Sequence, residues 1–191
     1  MSNEYWENRY VQQETPWDIG YASPALSSYF QNLYHKDLKI LIPGGGNSHE
    51  AEYLWKNGFK NIWVIDISPT AIDNFLERFP DFPKSQALVG DFFLLNEKFD
   101  VILEQTFFCA LNPELRLDYV LKMKSLLYHG GKIVGLLFNF PLTEKGPPFG
   151  GSHEEYIGLF RKDFKIHILN KAYNSIKPRE GKEFFFQFIA R

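Results

Sequence analysis

The feature that most constrains this chain is an alternation of short apolar runs with helical segments, repeated five times and closed by two further strands. The first run, Lys39–Pro43, stops at Gly44-Gly45-Gly46, as a buried parallel strand does. A helix from Ser48 follows and Gly58 stops it. Asn61–Ile67 is the next strand, and Ser68-Pro69 supplies an N-cap and a first-turn proline for a helix to about Arg78. Ala87–Asp91 and Phe99–Glu104 read as the third and fourth strands. Asn112-Pro113 opens a helix to about Tyr128, which Gly130-Gly131 ends, and Lys132–Phe140 is the fifth strand. After a short helix start at 152–156, Phe164–Leu169 and Glu183–Ala190 are expected as an antiparallel hairpin. The pattern predicts an α/β fold: a Rossmann-like, mostly parallel seven-stranded sheet with helices on both faces. Residues 1–37 belong to no strand–helix–strand unit and are candidates for an N-terminal helical lid.

A length of 191 residues points to one domain, 1–191, and the Pro/Gly stretch 146–151 is too short to divide it. The formal net charge of −2 argues against a nucleic-acid footprint. The longest apolar run, Ile133–Phe138, falls far short of the roughly 20 residues of a membrane helix. Asn3 and Glu4 stand where an export signal would carry positive charge, and the single cysteine, Cys109, forms no internal disulfide, so the expected setting is cytoplasmic. Aromatic residues make up 17% of the chain, an excess that calls for roles outside the core.

In a sheet of this kind ligands bind at the carboxyl ends of the strands. The first strand ends in a glycine turn that lets backbone approach a ligand closely and then opens a helix. The second ends in Asp66, near the spacing at which an acidic residue takes ribose hydroxyls, and the third in Asp91-Phe92, a carboxylate followed by an apolar ring. Together they suit a nucleoside-type cofactor. Gly44 and Gly46 fill the first two places of the dinucleotide fingerprint, but the third falls at His49. S-adenosylmethionine has no pyrophosphate and does not need that fingerprint, so a methyltransferase is favoured. An NAD-dependent oxidoreductase and a non-catalytic cofactor-binding module stay open as alternatives.

Trp6-Glu7-Asn8-Arg9-Tyr10, Thr15-Pro16-Trp17-Asp18-Ile19-Gly20, Leu41–Gly46 with His49-Glu50, Ile65–Ser68 and Phe107-Phe108-Cys109-Ala110 together resemble a known family. It is the thiopurine S-methyltransferase-like superfamily, on its plant-type thiol/halide branch. The resemblance implies a class I S-adenosylmethionine-dependent fold with a lid closing over the cofactor. It further implies that Trp6, Tyr10 and Trp17 are lid contacts, that Gly44 faces the methionine portion, and that Asp66 takes the ribose and Asp91 with Phe92 the adenine. Gln105 falls where the plant-type enzymes resemble one another in a tyrosine near cofactor and acceptor, and Tyr10 replaces a tryptophan.

The expected activity is methyl transfer to a small soft nucleophile, a thiol sulfur first. A thiol near its free pKa of about 8.5 ionises with little help, so no catalytic side chain is assigned. The five histidines lie far apart and no metal site is expected. Gln105, Phe108, Phe149 and His153 are the acceptor-site candidates, with Phe107 and Phe140 as further wall residues. Arg9 and Glu104 are read either as polar guides for an acceptor or as members of surface ion pairs, and Cys109 as a small hydrophobe. The expected partner is a small-molecule methyl acceptor met by a monomer, with no nucleic acid and no membrane.

Overall fold

A computed structural model describes residues 2–191. Seven strands form one sheet in the order β3-β2-β1-β4-β5-β7-β6, the mostly parallel α/β arrangement that the alternation predicts. The chain divides into two compact units, Met1–Leu95 and Asn96–Arg191.

The first unit carries helices α1 (Asn3–Val11) and α2 (Pro24–Gln31), then β1 (Ile40–Pro43), α3 (His49–Lys56), β2 (Ile62–Asp66), α4 (Pro69–Arg78) and β3 (Ala87–Val89). β1 and β3 both pair with β2 in parallel, Ile42 opposite Val64 and Asp66 opposite Val89. All four residues of β1 are buried, as a strand covered on both faces requires. α4 starts as its sequence dictates, with the Ser68 hydroxyl accepting the Ala71 N–H and Pro69 in the first turn.

The second unit carries β4 (Phe99–Gln105), α5 (Arg116–Ser125), β5 (Leu127–Phe138), α6 (His153–Phe160), β6 (Phe164–Lys171) and β7 (Glu183–Ala190). β7 lies between β5 and β6 and is antiparallel to both, so the closing strand pair is a hairpin that extends the sheet beyond β5 and leaves β6 at its edge. The core is built largely from rings: Phe160 lies against Phe108, Tyr119, Phe164 and Phe188. Much of the aromatic excess is therefore core.

One boundary differs from the sequence expectation. The helix of this unit stops at Ser125, and Gly130-Gly131, read as its terminator, lies inside β5. Leu127 already pairs with Phe99, and the register then jumps to Val101 opposite Lys132, so 128–131 bulge opposite Asp100. Gly130 supplies a φ of 80°, and a Cβ on Gly131 would come within 3.1 Å of the Asp100 carbonyl.

Gly135 sets the spacing of β4 against β5, because a Cβ there would lie 2.3 Å from the Glu104 carbonyl oxygen. Gly135→Ala should lower unfolding free energy by about 2 kcal/mol or more through overpacking against backbone. Gly158 lies exposed within α6 with nothing within 4 Å of such a Cβ. Gly158→Ala should stabilise by about 0.5–1 kcal/mol. Urea denaturation of the two variants checks both signs.

Candidate functional site

Asp66, the last residue of β2, is 6% exposed. One of its oxygens accepts the Gly46 N–H at 2.8 Å and the other the Ser68 N–H at 2.9 Å. Burial pushes this carboxyl upward, and the backbone bonds from Ser68, Gly46 and Ile67 oppose that shift. Asp66 therefore fastens the glycine turn and the start of α4 to the end of β2. A carboxylate offers about four acceptor positions, so capacity remains for a ligand hydroxyl.

The turn itself alternates handedness. Gly44 has φ 58°, Gly46 φ 53° and Ser48 φ 52°. A Cβ on Gly45 would lie 2.5 Å from Val64 Cγ1, so Gly45 provides the close packing for which the dinucleotide pattern uses its third glycine. Ser48 does not cap α3 through its side chain. Its hydroxyl turns back toward the Gly45 and Gly46 carbonyls at 3.1 and 3.3 Å.

Trp6, Tyr10 and Trp17 come together in an edge-to-face cluster, with Trp17 5.5 Å from Trp6 and 6.0 Å from Tyr10. Tyr10 is 7% exposed, and its hydroxyl would lie 2.3 Å from a Cβ on Gly46, so only glycine fits beneath it. Burial, joined by the negative charges of Asp66 and Asp18, pushes the Tyr10 phenol far up and keeps it protonated.

Two polar anchors absent from the sequence reading fix this segment. Glu7 accepts hydrogen bonds from the Ser68 and Thr70 hydroxyls at 2.6 and 2.5 Å, tying α1 to the start of α4. Asp18 accepts from Gly20 N–H, Asn47 Nδ2 and His49 Nε2. Burial alone would raise Asp18, but the bonds from His49 and Asn47 outweigh it and hold the carboxyl well below the usual range. Partners 29 and 31 residues apart leave no local sequence signal. The Asp in Thr-Pro-Trp-Asp and the His after the glycine turn were visible only as separate residues. Tyr10, Asp18, Asn47, His49, Asn74 and Arg78 line an open cleft of about 480 Å3 in this unit.

Asp91 follows β3, and its Oδ1 accepts the Phe93 N–H at 2.8 Å, capping a short 3-10 turn that carries the buried Phe92 ring. Seven of the eight cofactor candidates thus lie in the first unit; Gln105 lies in the second.

In the second unit Gln105 ends β4, and its side-chain Oε1 is buried with no hydrogen-bond partner among the described residues. Thr106 follows at φ 58°, a strained conformation for a β-branched residue. Glu104 is a correction to the sequence reading: it is 0% exposed and joins no surface ion pair. Its Oε1 accepts the N–H groups of Phe107 and Phe108, and its Oε2 accepts the Tyr119 hydroxyl. Burial pushes it up to about 7 against those three bonds. Arg9, by contrast, does pair with Glu14 near the surface at 2.6 Å.

Phe108 is 1% exposed, with Tyr119, Tyr156 and Phe160 around its ring and the Arg116 guanidinium 4.8 Å above it. Arg116, buried on α5, also donates to Glu155 and to the Gly150 carbonyl. The Phe149 N–H donates to the Cys109 carbonyl at 2.8 Å, so the Pro/Gly loop is fastened to the turn after β4. His153 opens α6 with its ring 5.8 Å from Phe184, and Phe140 forms an isolated bridge to Gly151. Burial pushes the Cys109 thiol far up, which removes it as a nucleophile. Among the described residues no group of three or more His, Cys, Asp or Glu side chains is arranged to hold a metal ion.

The sequence model of the thiopurine S-methyltransferase family matches residues 1–186. A probable thiol methyltransferase 2 of Arabidopsis thaliana is 31% identical over 184 residues, covering 93% of this chain and 81% of that protein. A thiopurine S-methyltransferase of Vibrio parahaemolyticus is 25% identical, covering 87% of this chain and 85% of its own. Among solved structures, the Burkholderia thailandensis 1,6-didemethyltoxoflavin-N1-methyltransferase, with bound S-adenosylhomocysteine, superposes with a TM-score of 0.75. It is 14% identical and covers 98% of this chain and 86% of that one, a likeness of fold. The chain belongs to the thiopurine S-methyltransferase family, whose chemistry is S-adenosylmethionine-dependent methylation of sulfur.

Proposed function

We propose that this protein transfers a methyl group from S-adenosylmethionine to the sulfur of a small thiol, as a single methyltransferase domain over residues 1–191. The observation that carries the reading is the convergence, within one unit, of the glycine turn, the Asp66 carboxylate and the Trp6–Tyr10–Trp17 cluster. Family membership sets aside the nicotinamide-dependent and non-catalytic alternatives. The names of the plant and Vibrio relatives support sulfur as the atom methylated.

When bound, the cofactor supplies a methyl group made electrophilic by its sulfonium. The residues present fit such a group. Gly44, half-buried at φ 58°, lets backbone approach a ligand closely, and Asp66 keeps acceptor capacity for a ribose hydroxyl. Asp91, with its Oδ1 already on Phe93, and the apolar Phe92 suit an adenine. Three electron-rich rings attract a cation at their faces, and the neutral Tyr10 adds no competing nucleophile. We assign α1 and the loop through Trp17 to a lid that excludes water.

Gln105, Phe149 and His153 are the proposed acceptor contacts, with Phe108 supporting them from the core. Because a thiol ionises readily, the chain's contribution is placement and dryness rather than proton removal. The charge balance of −2 suits a small acceptor rather than a nucleic acid, and no helix among the described residues is long and apolar enough to cross a membrane. A buried, unoxidised cysteine suits the cytoplasm, where we place a monomer.

A screen of thiols, bisulfide, halides and thiopurines, read by S-adenosylhomocysteine release, tests the reading. Thiols should be methylated in preference to halides, and turnover of halides alone would overturn the sulfur assignment. Asp66→Ala should weaken S-adenosylhomocysteine binding at least about tenfold by calorimetry. It should also lower stability by about 2 kcal/mol, through loss of the bonds to Gly46 and Ser68. Unchanged affinity would remove Asp66 from the cofactor site. Trp17→Ala should raise the KM for S-adenosylmethionine about tenfold, since a lid ring acts through cofactor affinity. An unaltered KM would count against the lid.

A further inference from the structure

Glu104 is a fully buried carboxylate at the end of β4 whose bonds run to the turn that follows it. Oε1 accepts from Phe107 N–H at 2.8 Å and Phe108 N–H at 2.9 Å, and Oε2 from the Tyr119 hydroxyl at 2.5 Å. Between Glu104 and those amides lies Thr106 at φ 58°, its hydroxyl donating to the Gln105 carbonyl at 2.7 Å and its own carbonyl accepting the Cys109 thiol at 3.2 Å. A β-branched residue stays in the left-handed region only where its surroundings over-determine it. The grip of Glu104 on the next two amides supplies that constraint. The same turn leaves the Gln105 Oε1 buried and, among the described residues, without a donor, so it keeps its capacity to accept a hydrogen bond.

We propose that Glu104 is the positioning residue of the methyl-acceptor site: its carboxylate holds the strained Thr106 turn through Phe107 and Phe108, and so fixes the Gln105 amide toward the acceptor. The inference rests on the S-methyltransferase reading and extends it to a residue that touches neither substrate nor cofactor.

The ionisation state of Glu104 governs the grip. Bonds to an ionised carboxylate are roughly twice as strong as those to a neutral acid. With its carboxyl pushed up to about 7 by burial, Glu104 takes up a proton in the mildly acidic range and loosens the turn. The phenols and the thiol around it stay protonated there. Tyr119 on α5, Tyr156 on α6 and Cys109 in the turn are all pushed upward. Arg116 on α5 is paired with Glu155 on α6, and Arg179 lies 3.7 Å from Glu183. Acceptor turnover should therefore carry an acid limb set by Glu104.

The test uses a nitro-substituted aromatic thiol, ionised throughout the range, so that the acceptor's own titration drops out. In the wild type, kcat/KM for this thiol, measured with S-adenosylmethionine saturating at every pH, should rise about tenfold in all through the mildly acidic range and level above about 7. Glu104→Gln should abolish the limb and raise the acceptor KM about tenfold, leaving S-adenosylhomocysteine affinity within about twofold. Tyr119→Phe removes a donor to the ionised form and should move the limb to higher pH, a readout that stands if Glu104→Gln does not fold. A flat wild-type profile, an unmoved limb in Tyr119→Phe, or an equal loss of cofactor affinity in Glu104→Gln overturns the role of Glu104. Absence of turnover with every thiol overturns the S-methyltransferase reading, and this inference with it.

Discussion

The first unit is organised around the hydrogen bonds that the Asp66 carboxylate accepts from Gly46 and Ser68. A carboxylate this deeply buried is tolerated only when its oxygens are satisfied, and here the satisfying groups are the backbone of the two turns that must be held. Ser68 passes the constraint on, since its hydroxyl both caps α4 and donates to Glu7 on α1. α1 then returns Tyr10 to the face of Gly46, whose amide Asp66 already holds. The circuit Asp66–Ser68–Glu7–Tyr10–Gly46 is closed. A ligand that draws on Asp66 therefore acts on the seating of α1, which gives the proposed lid a physical link to cofactor binding.

The same device recurs at other strand ends. Asp91, just after β3, accepts the amide of Phe93, and Glu104, near the end of β4, accepts those of Phe107 and Phe108. Each carboxylate stiffens the turn that leaves its strand. Loops at this edge of a sheet carry function but are the mobile part of the fold. Anchoring them through charge-assisted bonds gives loop residues a rigidity closer to that of the strands.

The strands and α4 were legible because burial on both faces leaves near-continuous apolar runs and because Ser-Pro marks a helix start. The α5–β5 boundary was not. Gly130-Gly131 has the chemistry of a helix stop, and only the pairing of Leu127 with Phe99 makes it a bulge inside a strand. What was legible of the candidate site was placement: Asp66 and Asp91 stand at the strand ends where the sequence put them. Glu104 stood in an equivalent place, but the surface-ion-pair alternative to its reading as a polar guide overlooked what Val101-Ile102-Leu103 already implied. A carboxylate ending so apolar a run is buried and must be satisfied by its neighbours. Asp18, Asn47 and His49 meet only through tertiary packing, and no periodicity joins them.

Strain tells the same story independently. The non-glycine residues with positive φ among those described are Gln13, Ser48 and Thr106. One follows α1, one closes the glycine turn, and one follows β4. Each is held by a local bond: Gln13 N–H to the Tyr10 carbonyl, the Ser48 hydroxyl to Gly45, and the Thr106 hydroxyl to Gln105. Strained backbone costs of order 1–3 kcal/mol per residue and persists where the surroundings enforce it, most often at functional sites. Methyl transfer to a nucleophile that ionises unaided asks little of a protein beyond exact placement of the reacting partners, and placement is what strained, over-determined turns provide. At Thr106 strain and a buried carboxylate coincide because both serve that end: Glu104 holds the turn in a conformation the chain would otherwise abandon.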